Sequence, residues 1–214
     1  MKRLLRSNSD RCKICMLFLA VLALALVVSG CSRTPKLTQL DPADVIVAFG
    51  DSLTYGTGAA ENESYPAVLA QLTGRQVVRS GVPGEVTAQA LRRLPGVIAE
   101  YQPRLMIVCL GGNDMLGKVN DAEIRSNLRA IIGAIRERGI AVALIGVPRP
   151  ALLASPPEFY GELAREFAIP YERGIVKDVL YSAGMKSDAI HPNAQGYRRI
   201  AEAIAELLHK AGAI

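Results

Sequence analysis

Histidine is scarce in this chain: two residues of 214, His191 and His209, far apart in the sequence. No group of His, Cys, Asp and Glu has metal-ligand spacing, so neither a metal nor a cofactor is expected. Cysteine is nearly as sparse, at positions 12, 15, 31 and 109. Cys12 and Cys15 make a C-x-x-C with no second pair and no nearby histidine, which speaks against metal or redox chemistry there. Charge is limited to 21% of residues while half are hydrophobic, enough to bury one substantial core and too little chain for two. One domain is expected.

The basic residues are unevenly placed. Lys2, Arg3, Arg6, Arg11 and Lys13 precede an uncharged stretch from Ile14 to Val28, too short for a comfortable membrane span and ending in small residues. Residues 1–30 therefore read as an export signal. Val28-Ser29-Gly30-Cys31 resembles the lipobox of bacterial lipoproteins, in which cleavage leaves an acylated cysteine as the new N-terminus. The alternatives are an ordinary signal peptide or an uncleaved anchor. The lipoprotein reading places the protein outside the cytoplasm, lipid-anchored at the envelope and facing the periplasm; Ser32 after the cysteine resembles outer-membrane sorting. With Cys31 acylated, Cys109 has no partner and the domain must stand without an internal disulfide. Removal of residues 1–30 takes five of the 25 basic residues and one of the 20 acidic ones, leaving a net charge of +1. Such a chain lacks the clustered basic face that nucleic-acid binding needs. Residues 31–43, polar and proline-containing, read as a tether to a domain at 44–214.

From residue 45 short β-branched runs alternate with longer periodic ones. Residues 45–49, 76–80, 104–110 and 141–147 read as buried strands, with a weak fifth near 169–172. The clearest helix runs from about Asn120 to Arg138, with Ile124, Leu128, Ile131 and Ile135 on one face, Glu123 placed for a capping box and Gly139 as its stop. The last helix is expected to begin at Pro192 and to turn Ile200, Ile204 and Leu207 inward. Alternating strands and helices imply right-handed crossovers and a three-layer α/β domain: a parallel sheet of about five strands covered on both faces. Ligands of such sheets bind beyond the carboxyl ends of the strands.

Three loops fall at that edge. Ser52 follows the first strand in "FGDSL", Gly84 the second in "SGVPGE", and Asn113 the third in "LGGND". In a 2-1-3 strand order they are neighbours. A serine nucleophile needs a base for its proton and donors for the oxyanion it creates. Gly84 brings an unobstructed N–H, the Asn113 amide a second donor and the Ser52 N–H a third. His209 lies beside Lys210 near the chain end and reads as a solvated helix residue. His191 stands three residues after Asp188, whose carboxylate can hold the imidazole in the tautomer that accepts the serine proton.

Gly50-Asp51-Ser52-Leu53, Gly84, Gly112-Asn113-Asp114 and Asp188-x-x-His191, in this order, resemble the blocks of the SGNH, or GDSL, hydrolase family across about residues 44–211. "SYPAVLAQL" and "QPRLMIVCLGGNDML" resemble in particular its bacterial thioesterase I, lysophospholipase L1 and arylesterase branch. The resemblance implies a flavodoxin-like fold and ester or thioester hydrolysis, with Ser52 as nucleophile, Asp188 and His191 as its partners, and Ser52 N–H, Gly84 N–H and Asn113 as the oxyanion hole. Arg79 departs from the asparagine frequent in relatives, and Pro83 from a small polar residue.

Competing signatures are incomplete. Gly112 to Lys118 reads G-x-x-x-x-G-K, but position 119 is valine where a phosphate loop needs Ser or Thr. "GTGAAE" lacks the third glycine of a dinucleotide fingerprint. The G-x-S-x-G elbow of α/β-hydrolases is absent. Val82, Met115, Leu116, Leu152 and Leu153 could form an apolar rim for an acyl chain or aromatic group. The expected substrates are aryl esters, short- to medium-chain acyl esters, thioesters and lysophospholipids. A carbohydrate O-deacetylase and a catalytically silent lipid-anchored binding module are the alternatives.

Overall fold

The computed structural model describes residues 34–150 and 155–214. The signal segment, Cys31, Leu152 and Leu153 lie outside the described residues.

Five strands, β1 (Val45–Gly50), β2 (Gln76–Gly81), β3 (Leu105–Cys109), β4 (Ala141–Ile145) and β5 (Tyr171–Glu172), form one sheet in the order β2-β1-β3-β4-β5. Every pairing is parallel. β1, β3 and β4 are almost wholly buried, as strands covered on both faces must be, and their sequences are accordingly continuous apolar runs. The 76–80 run differs from its expected burial: β2 is an edge strand and only half-buried, which is why it tolerates Gln76 and Arg79. The weak fifth strand shrinks to two residues on the opposite edge.

Between the strands lie α1 (Ser52–Tyr55), a 3-10 turn (Glu61–Glu63), α2 (Tyr65–Thr73), α3 (Thr87–Tyr101), α4 (Gly112–Leu116), α5 (Asp121–Arg136) and α6 (Glu158–Glu166), and after β5 come α7 (Ile175–Tyr181) and α8 (Ala194–Ala211). α2, α7 and α8 pack together, and α3, α5 and α6 form a second group, so helices cover the sheet on both sides. The fold is the expected three-layer α/β arrangement. In α5, Ile124, Leu128, Ile131 and Ile135 are completely buried. Asn120 caps it through its side chain, which accepts from the Glu123 N–H at 2.9 Å. Ile200, Ile204 and Leu207 of α8 are also buried.

α8 begins at Ala194, not at Pro192. The Asn193 side chain takes the cap, accepting from the Gly196 N–H at 3.1 Å, while Pro192 pairs with Lys186 in an isolated antiparallel bridge. His191 thus belongs to a pinned loop ahead of the helix. Residues 34–43, expected as a tether, already lie against the domain: the Leu37 N–H donates to the Ala211 carbonyl, the Leu40 N–H to that of Ala213, and Leu40 is buried. Lys36 adds a bond to the Lys210 carbonyl and Arg75 one to the Leu40 carbonyl, each at 2.9 Å. Among the described residues no helix is long and apolar enough to cross a membrane.

Candidate active site

The turn after β1 is compressed. Asp51 caps α1, its Oδ1 accepting from the Leu53 N–H at 3.0 Å, which makes Ser52 the first residue of a one-turn helix at the sheet's carboxyl edge. Crowding from the edge strand fixes the turn: a Cβ on Gly81 would stand 2.2 Å from the Tyr55 nitrogen and 2.7 Å from the Asp51 carbonyl. Arg79, the departure noted in the sequence, clasps the same turn from outside. It donates to the Tyr55 carbonyl at 2.6 Å, lies over the Tyr55 ring and pairs with Glu61 at 2.8 Å.

The loop ahead of α8 delivers the imidazole. Asp188 Oδ1 accepts from the Ile190 and His191 N–H groups at 2.8 and 2.9 Å, closing a tight turn that returns the His191 ring over its own carboxylate. His191 Nδ1 lies 2.8 Å from Asp188 Oδ2, and His191 Nε2 lies 3.1 Å from Ser52 Oγ. An ionised carboxylate only accepts, so in the neutral ring Nδ1 carries the proton and Nε2 presents its lone pair to the Ser52 hydroxyl. The Ile190 N–H, and after it the His191 side chain and N–H, hold the Asp188 carboxyl below its ordinary range. His209 lies at the far end of α8, exposed, its Nδ1 3.1 Å from the terminal Ile214 carbonyl.

Gly84 and Asn113 flank the serine on the neighbouring loops. Gly84 has φ +79, a backbone state that a side chain strains, and nothing lies within 4 Å of where its Cβ would be. Among the described residues, neither the Gly84 N–H nor the Ser52 N–H donates to a protein acceptor. The Asn113 amide nitrogen donates to the Glu85 carbonyl at 3.0 Å and lies 3.4 Å from Asp51 Oδ2. One N–H of that amide is thereby committed to holding the side chain in place, and the other faces Asp51 only loosely. Ser52 and Asn113 both line the cavity beside them, and Gly84 lies on the loop whose Glu85 carbonyl holds the Asn113 amide.

Asp51 was not singled out from sequence beyond its place beside the serine. It is almost fully buried, and burial pushes its carboxyl up to about 7, with the buried carboxylates of Glu85 and Asp114 adding to the shift and the Leu53 N–H opposing it. The other two acids are satisfied. Asp114 accepts from the Thr87 N–H at 2.9 Å and from the Thr87 hydroxyl, while Glu85 pairs with Arg93 at 2.7 Å.

A cavity of about 350 Å³ opens beside Ser52 and His191. Leu116 lines it as expected, with Val147, Pro148, Leu180 and Ile190. Met115 turns into the core instead, and Val82 stays exposed outside the cavity wall. Leu180 and Ile190 escaped the sequence reading because neither follows a strand; α7 and the Asp188 turn bring them in. Among the described residues no cluster of three potential metal ligands exists.

Residues 48–199 match the model of the GDSL-like lipase/acylhydrolase family. Esterase TesA of Pseudomonas aeruginosa is 29% identical over 191 residues, covering 83% of this chain and 94% of the relative. Thioesterase 1/protease 1/lysophospholipase L1 of Escherichia coli is 30% identical over 174 residues, covering 78% of this chain and 84% of the relative. A crystal structure of TesA superposes with a TM-score of 0.70 at 26% identity, over 77% of this chain and 98% of that one.

Proposed function

Because this chain belongs to the GDSL-like lipase/acylhydrolase family of ester hydrolases, we propose that Ser52, His191 and Asp188 form its catalytic triad and that it cleaves acyl esters and thioesters through an acyl-enzyme. The observation that carries this reading is the continuous relay from Ser52 Oγ through His191 to Asp188, at 3.1 and 2.8 Å. Ser52 Oγ bonds to the substrate carbonyl carbon as His191 Nε2 takes the hydroxyl proton, and Asp188 stabilises the imidazolium. The carbonyl oxygen, now an oxyanion, is received by the N–H groups of Ser52, Gly84 and Asn113. Collapse breaks the bond to the leaving oxygen or sulfur, which departs with the proton from His191. Water, deprotonated by His191, then releases the acid and restores Ser52.

The acyl group is assigned to the cavity walled by Leu116, Val147, Pro148, Leu180 and Ile190, which favours short- to medium-chain acyl esters and aryl esters, with thioesters and lysophospholipids bearing such chains also admitted. Export and acylation of Cys31 complete the proposal, resting on the Val28–Cys31 motif and the basic, then apolar, segment before it. Mass spectrometry of the mature N-terminus tests that part: an unacylated terminus elsewhere would remove the lipid anchor from the reading.

For the chemistry, Ser52→Ala and His191→Ala are expected to lower kcat on p-nitrophenyl butyrate by several orders of magnitude, and Ser52→Ala to abolish fluorophosphonate labelling. A Ser52→Ala protein keeping about a tenth of wild-type turnover refutes the triad. Across p-nitrophenyl esters from acetate to palmitate, kcat/KM should rise by up to about 0.8 kcal/mol per accommodated methylene and then fall. Activity confined to acetyl groups, with acetylated xylan preferred, would replace the acyl-pocket reading with carbohydrate O-deacetylation.

A further inference from the structure

Arg93, on α3, touches none of the reacting groups, yet its guanidinium joins three of the loop stems around them. Nε and Nη2 donate to the two oxygens of the Glu85 carboxylate, each at 2.7 Å. Nη1 donates to Ser80 Oγ at 2.8 Å, and Nη2 lies 3.1 Å from both the Gly50 and the Ser80 carbonyls. The guanidinium plane covers the Phe49 ring at 4.2 Å. Gly50 is the residue before Asp51-Ser52, and Ser80 precedes the turn that carries Gly84. The Glu85 carbonyl is the acceptor that holds the Asn113 amide.

We propose that Arg93 is the positioning residue of the oxyanion hole: by gripping Glu85 together with the ends of β1 and β2, it sets the mutual aim of the Ser52, Gly84 and Asn113 donors. The inference rests on reading those three as oxyanion donors. The turn at Gly84 is held at both ends, by the Val82 N–H donating to the Gly50 carbonyl and by the Glu85 N–H donating to the Val82 carbonyl. Arg93 binds the acceptor of the first of these bonds and the side chain of the donor of the second. Rotation of Glu85 would therefore swing the Gly84 N–H and the carbonyl under Asn113 together. A buried ion pair adds little net stability over a well-packed apolar pair, so fold stability alone is a weak account of this one, in which the carboxylate is almost fully buried. Lysine cannot replace it, because one ammonium cannot meet a carboxylate side-on and two carbonyls at once.

The test is a double-mutant cycle with Asn113→Ala, read on folded protein with p-nitrophenyl butyrate. Arg93→Lys is expected to lower kcat by about 10- to 100-fold with KM changed by less than about twofold, as a donor shifted by about 1 Å would. In the Asn113→Ala background the same substitution should cost much less, because part of what it misaligns is gone. Should Arg93→Lys fail to fold, Glu85→Gln, which keeps the side chain's size and weakens the grip, carries the same comparison. A loss of thermal stability with kcat unchanged, or a kcat penalty of equal size with and without Asn113, overturns the proposal. Wild-type kcat in Asn113→Ala alone would instead remove Asn113 from the oxyanion hole, a distinct failure.

Discussion

Beside Ser52 stands a carboxyl that the fold makes difficult to ionise. Asp51 is pushed by burial from 3.8 to about 7, so the folded protein keeps a proton that the unfolded chain releases between about pH 4 and pH 7. For a raised carboxyl, stability is highest below the unfolded value and declines as pH climbs to the folded one. Asparagine at this site cannot titrate. The unfolding free energy of Asp51→Asn relative to wild type should therefore increase between pH 4.5 and pH 7.5, by on the order of 3 kcal/mol, and then level off. Urea denaturation of both proteins at the two pH values measures it; curves that stay parallel would show that Asp51 ionises freely despite its burial. Asn113 belongs to the same scale with a different readout. Asn113→Ala should fold and lose roughly 3 to 4 kcal/mol of transition-state stabilisation in kcat, and a change in KM alone would make it a ground-state binding residue.

At the scale of elements, Ser52 is aimed by how closely β2 can approach the turn after β1. The Cβ of Gly81→Ala would meet backbone atoms of Tyr55, Asp51 and Thr54, none of which can swing aside as a flexible side chain could. This substitution should push α1 off β2 and reduce turnover by about 100-fold or more, since about 1 Å of displacement at a nucleophile costs that much. Comparison with Gly96→Ala, where the backbone is likewise outside the left-handed region and nothing lies within 4 Å, separates displacement from the loss of glycine itself. Near-wild-type turnover in Gly81→Ala would show that the turn is set elsewhere. The strands and α5 were readable because their signal is local: apolar runs for β1, β3 and β4, and a 3.6-residue stripe for α5. The start of α8 was misread because a proline suits a first helical turn, but Asn193 offers a side-chain cap one residue later and Pro192 is drawn into the bridge with Lys186. The Ser52, Gly84 and Asn113 positions were legible as motifs at strand ends, and Asp188 and His191 as a closely spaced pair ahead of the last helix. Arg93 was not, because nothing in an Arg-Arg-Leu stretch tells which guanidinium turns under the sheet edge, and the cavity beside Ser52 was only partly legible because α7 reaches it through tertiary packing.

Across the whole domain, the loop bearing His191 and the attachment of residues 37–40 occupy opposite ends of α8. His191 precedes the helix by three residues, whereas Leu37 and Leu40 bond to the carbonyls of Ala211 and Ala213 at its far end. Eighteen residues at about 1.5 Å each separate the two ends by about 27 Å. Cys31 lies six residues before Leu37, a span of at most about 21 Å even when fully extended. An acyl anchor on Cys31 would therefore be tied to the end of α8 away from His191, so a short tether is expected to restrict the cavity's access to lipids of the anchoring bilayer. Lipidated protein in proteoliposomes, its acylation verified by mass spectrometry, should hydrolyse p-nitrophenyl butyrate in solution at full rate and an acyl ester embedded in the same vesicle slowly. Insertion of about 30 Gly/Ser residues between Arg33 and Thr34, with an r.m.s. span of about 30 Å, should leave the soluble reaction unchanged and raise the embedded one by an order of magnitude or more. Equal rates on the embedded ester with and without the insertion would show that the anchored domain already reaches its own membrane, and lysophospholipids of that membrane would then become the favoured substrate.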